Sequence, residues 1–91
     1  MAYDVKVLKL ITGEEIVARV TYERDLITLD RPMSLQTMAG QGGQMGVVLV
    51  PWLMSAKGEK ITISITHVLA QDDPQEQAEK NYLSQISGLT L

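Results

Sequence analysis

The sequence predicts a mainly β domain: a small barrel of five short, strongly bent antiparallel strands, followed by a single C-terminal helix. Three observations predict it. Alternating or wholly apolar runs recur along the first 70 residues, separated by turns of glycine, polar and charged residues. No segment between them is long enough for a crossover helix, so the strands run antiparallel. An amphipathic stretch with its own start signal follows. At 91 residues the chain is one domain, with residues 1–71 forming the barrel and 72–91 a helical extension.

Taken in order, Val5 to Ile11 reads as the first strand, and Thr12-Gly13-Glu14 as a tight turn in which Gly13 can take positive φ. Ile16, Ala18, Val20 and Tyr22 then alternate with Val17, Arg19, Thr21 and Glu23, the pattern of a strand with one wet face. Glu23-Arg24-Asp25 is a charged turn. The third strand starts at Leu26, is interrupted by Pro32, and resumes through Met33, Leu35 and Thr37 beyond a kink or bulge. Residues 39–44 (AGQGGQ) lack the lysine and Ser/Thr of a phosphate loop and read as a hairpin loop. Met45 to Met54 holds no polar side chain, so it is apolar on both faces and needs a cover that five strands do not supply. Lys60 to Thr66 alternates again, with Ile61, Ile63 and Ile65 on one face and His67 in phase with them. Asp73 is placed as helix N-cap, with Pro74 at the first helical position and Glu76 at the third. Ala78, Tyr82 and Ile86 form the apolar stripe of that helix, widened by Leu83.

Composition narrows the function. There is no cysteine and no phenylalanine, and aromatic residues make up 4% of the chain, so the core is aliphatic and methionine-rich. A chain this short buries a modest core, and without disulfides oligomerisation is the common remedy. No apolar run approaches the ~18–20 residues that cross a bilayer, and the first residues lack the pattern of a signal peptide; a cytoplasmic protein is the expectation. Residues 1–70 carry seven acids and seven bases, whereas 71–91 carry four acids and one base. The net charge of −3 therefore belongs to the C-terminal segment, and a neutral body argues against strong nonspecific nucleic-acid binding.

The residue inventory also argues against catalysis, and neither a metal nor any other cofactor is expected. One histidine and no cysteine exclude thiolate chemistry and histidine-rich zinc sites. No nucleophile elbow accompanies His67. The acid pairs Glu14-Glu15 and Asp72-Asp73 read as a turn and a helix start. His67 has two readings: a packed ring with its nitrogens hydrogen-bonded, or a ring that stacks on or contacts a base. Trp52, between Pro51 and Leu53, is likewise either a core or subunit contact or a stacking platform.

These residues resemble the Sm-like (LSm) family, including its Hfq branch, and above all small Sm-like proteins encoded by phages. Val5 to Gly13 is similar to the first family block, with its alternating apolars before a glycine turn; Ala18 stands where a second glycine is usual, and Val20 fits the apolar position after it. Ile65-Thr66-His67-Val68-Leu69 is similar to the second block and keeps its histidine. Arg24-Asp25-Leu26 occupies the loop where the family carries its RNA-pocket Asp and Asn, and the chain has no Asn there. The resemblance implies a five-stranded SH3-like/Sm-like barrel, a homo-oligomeric ring of roughly five to seven subunits, and single-stranded RNA as partner, with His67 near the pore. It places the subunit interface where one strand (Met45, Val47, Val48, Leu49, Val50, Trp52) pairs with another of a neighbour (Ile61, Ile63, Ile65). The uncovered apolar run argues for such a cover independently.

Two other functions fit the same residues. A ring-shaped scaffold without nucleic acid would use the Ala78/Tyr82/Ile86 stripe to dock a protein partner or a neighbouring subunit. A monomeric peptide-binding barrel would need a cluster of exposed aromatics, and the chain has one Trp and three Tyr in all.

Overall fold

The computed structural model describes residues 4–43, 45–53 and 58–89, with the backbone alone at 38, 41, 45 and 87–89. Six strands and one helix follow in order: β1 Asp4–Leu10, β2 Glu15–Glu23, β3 Leu26–Ala39, β4 Met45–Pro51, β5 Lys60–Ser64, β6 Val68–Asp72 and α1 Glu76–Leu89. All the pairings are antiparallel. The sheet runs β4-β3-β2-β1-β6, and β5 pairs with β3 as well. The long β3 therefore has two partners on one edge: β4 beside Met33–Ala39 and β5 beside Leu26–Asp30.

Six strands stand where five were expected because the last run is broken. A 3-10 turn, Ile65–His67, separates β5 from β6. That turn forces the curl. In a flat sheet β5 and β6 would lie about four strand spacings, ~19 Å, apart, while three residues of 3-10 helix advance only ~6 Å. The sheet must roll up to let them meet. The corner is pinned by Ile65 N–H to the Asp25 carbonyl at 2.8 Å and Ile11 N–H to the His67 carbonyl at 2.9 Å. The 3-10 turn also takes Ile65 and His67 out of the strand alternation they were expected to continue.

Pro32 does not end β3. The β2–β3 register shifts by one between Val17↔Met33 and Arg19↔Asp30, which sets Arg31 and Pro32 opposite Ala18. The proline has no N–H to lose there, and Arg31 takes φ 52°, so the pair forms a bulge that bends the strand. Gly13 sits at φ 97°, as its turn required.

Inside the barrel Leu8, Leu10, Ile16, Ala18, Val20, Ile27 and Leu29 form one buried cluster, with Trp52, Ile63 and Val68 packed against it. The outer face of β2 is not wet at Val17, as alternation alone suggested. Val17 is fully buried, with Met33, under Tyr82 and Ile86 of α1. The helix begins at Glu76, two residues later than the Pro74 reading, and its first turn closes from Glu79 N–H to the Gln75 carbonyl at 2.9 Å. Asp73 does not cap it; its carboxylate takes Lys6 Nζ at 2.6 Å.

Candidate functional site

The β1–β2 turn, the end of β4 and the 3-10 corner meet around an open hollow of about 300 Å³. Leu10, Ile11, Thr12, Glu14, Trp52, Ile63 and His67 line it. Each arrives for a local reason. The turn is locked by Leu10 N–H to the Glu14 carbonyl at 2.9 Å and Gly13 N–H to the Leu10 carbonyl at 2.8 Å, which presents Thr12 and Glu14 side by side. Trp52 leaves β4 with its N–H on the Pro32 carbonyl at 3.0 Å and packs against the barrel core. His67 ends the 3-10 turn and is exposed. Among the described residues no hydrogen bond or ion pair engages its imidazole.

The hollow has one oriented polar group. Thr12 Oγ1 donates to Glu14 Oε1 at 2.8 Å, and Trp52 Nε1 donates to Glu14 Oε2 at 3.1 Å. Both carboxylate oxygens are held in place, and each keeps a further acceptor site. No lysine or arginine is among the lining residues. Sequence reasoning singled out His67 and Trp52 separately and treated Glu14 as a turn acid. The juxtaposition has no linear signal, because positions 14, 52 and 67 meet only through the curl.

The residues expected at a subunit seam fall into four groups. Val47 is exposed, as is Ile65 on the 3-10 corner, while Val48, Leu49, Val50 and Ile61 are half-buried. Trp52 and Ile63 pack on their own chain's core. Met45 lies in β4, with its side chain outside the described residues. The helix stripe is corrected as a docking surface: Tyr82 and Ile86 are buried on the molecule's own sheet, so the stripe is not free for a partner.

A second, larger hollow of about 490 Å³ lies beside the N-terminal half of α1 and carries no aromatic ring. Among the described residues no group of acids and histidines is arranged to hold a metal ion. No described helix is long and apolar enough to cross a membrane. In comparisons with known proteins, the family model described as the Sm_like domain matches residues 7–83. No curated protein matches the chain.

Proposed function

The chain belongs to the Sm-like family, and from that membership we propose that its copies close head to tail into a homo-oligomeric ring of roughly five to seven subunits that binds single-stranded RNA. On this reading it is a phage-encoded ring acting in the host cytoplasm, and His67 contacts the bases.

One observation carries the ring. The curled sheet has two open edges, β4–β5 at one end and β6 at the other. Each bears a conspicuous exposed apolar side chain, Val47 at 61% on β4 and Leu69 at 67% on β6. Open edges of this kind are templates for pairing with another chain. The seam we propose joins β4–β5 of one subunit to β6 of the next. It replaces the expected pairing of Met45–Leu53 with Lys60–Thr66. Those two runs share one edge of β3, and an edge paired with its own copy gives a two-fold dimer rather than a ring.

The neutral barrel predicts modest RNA affinity and a shallow salt dependence. Light scattering tests the assembly: a mass several times 10.0 kDa is expected, and a monomer at high concentration overturns the ring. Filter binding to oligo-U and oligo-A tests the ligand, with His67→Ala expected to weaken binding by about fivefold or more through lost stacking. Equal, weak binding by both proteins removes RNA while leaving the ring.

A specific feature favours a second reading, a scaffold ring without nucleic acid. The hollow that His67 lines presents the Glu14 carboxylate and neither lysine nor arginine, which opposes a phosphodiester backbone.

A further inference from the structure

We propose that the hollow between Glu14, Trp52 and His67 is a guanidinium site that takes an arginine side chain of a protein partner. The inference goes beyond the RNA reading and does not depend on ring formation.

The hollow offers what a guanidinium needs and little that any other group needs. Its acceptor is a carboxylate already fixed by two donors, Thr12 Oγ1 and Trp52 Nε1, so little side-chain entropy is lost on binding. Each oxygen retains an acceptor site, and two neighbouring acceptors match the planar fork of arginine better than the single point of a lysine ammonium. Two aromatic rings, Trp52 and His67, line the same space, and guanidinium groups lie favourably against such rings. Leu10, Ile11 and Ile63 supply apolar wall, and Ile11 is 54% exposed, as the methylene stem of an arginine requires. With no cation among the lining residues, nothing in the hollow already neutralises Glu14. The overall charge of −3 adds a mild general attraction for basic partners. A volume of about 300 Å³ suits one side chain rather than a whole peptide.

Guanine is the nucleic-acid group with a comparable donor fork, but it arrives with phosphates that Glu14 repels. The two occupants therefore separate by experiment. Trp52 is the chain's sole tryptophan, so its emission reports the hollow directly. The probes are capped Gly-Arg-Gly, the same tripeptide with lysine or citrulline at its centre, and guanosine monophosphate. The arginine peptide is expected to change the emission saturably, with lysine about fivefold weaker or worse and citrulline silent. Glu14→Gln, with unchanged circular dichroism, is expected to weaken arginine binding by about tenfold or more. In the wild type the arginine affinity falls as salt rises, a readout that stands even if the variant folds poorly. Equal response to lysine or citrulline, tighter binding of guanosine monophosphate, salt-independent affinity, an unaltered Glu14→Gln titration, or no saturable response each overturns the proposal.

Discussion

At residue scale, the Tyr82 hydroxyl holds the helix to the most irregular point of the sheet. It donates to the Asp30 carbonyl at 2.8 Å, lies 3.0 Å from the Arg31 carbonyl, and accepts the Arg19 N–H at 3.1 Å. These groups flank the β2–β3 bulge, where the register shifts, and a buried backbone group without a partner is costly. Beside them Arg19 Nη2 meets the buried Asp30 carboxylate at 2.6 Å. Tyr82→Phe keeps the ring and removes the hydroxyl, so it is expected to cost about 1–3 kcal/mol in urea unfolding. The same variant carries a pH signature. Burial is the chief cause that pushes the Tyr82 phenol above its ordinary value of 10.0. The folded state therefore holds that proton more tightly than the unfolded chain. Its contribution is fully present below pH 10 and is lost as pH rises through the unfolded and then the folded pKa. Urea midpoints taken from about pH 8 to about pH 11 should fall less steeply for Tyr82→Phe than for wild type. Tyr22, raised by burial, and Lys6, raised by its hydrogen bond to Asp73, shift in the same direction but remain in both proteins. The apolar body of Tyr82 was legible in the stripe with Ala78 and Ile86. Its hydroxyl role was not, because nothing near position 82 says that a bulge lies 50 residues upstream.

At element scale, α1 explains why two faces of β2 are buried. The spacing of Ala78, Tyr82 and Ile86 announced an apolar side but not the surface that receives it. The receiving residues are Val17, which the alternation of β2 pointed to water, and Met33 beyond the bulge of β3. Arg31 adds a polar fastening: its Nη1 donates to the Ile86 carbonyl at 3.1 Å in the last turns of α1, a favourable place for a cation. Its Nη2 reaches Glu59 Oε1 at 3.4 Å just before β5. The residue that bends β3 at positive φ thus also ties the helix to the next strand. Ile86 is 3% exposed within this contact. Ile86→Ala is expected to lower stability by about 2–4 kcal/mol, read as a shifted urea midpoint. Its far-ultraviolet strand signal should be retained, because the barrel cluster of Leu8, Ile16, Ile27 and Leu29 packs without α1. Loss of all strand signal would mean that the helix is integral to the barrel rather than laid over it.

At the scale of the whole molecule, the long apolar run from Met45 was read as needing a cover, and the chain itself provides part of one. Leu49, with Leu35, packs beside the cluster under α1, and Trp52 turns into the barrel. What the fold leaves open is narrower: among the described residues of that run Leu53 stays exposed just past β4, and the two sheet edges carry Val47 on one and Leu69 on the other, the latter at the end of the run that resembles the second family block. No periodicity separates the half-covered from the uncovered positions, since the difference depends on where the helix lies across the sheet. The proposed seam makes these two residues the sensitive ones. Leu69→Glu places a charge on the β6 edge, the device by which natural sheets block edge-to-edge pairing. Because Leu69 is 67% exposed within the subunit, the change should leave the folded monomer within about 0.5 kcal/mol of wild type. Its solution mass should nevertheless fall to about 10.0 kDa, and its melting temperature should lose the concentration dependence that assembly confers. Val47→Glu, on the opposite edge, should do the same, since a head-to-tail seam uses both edges of every subunit. An assembly that survives both substitutions at full mass would put the contact elsewhere on the barrel. An assembly sensitive to Val47→Glu alone would mean that β4 meets its own copy across a two-fold axis, which stops at a dimer.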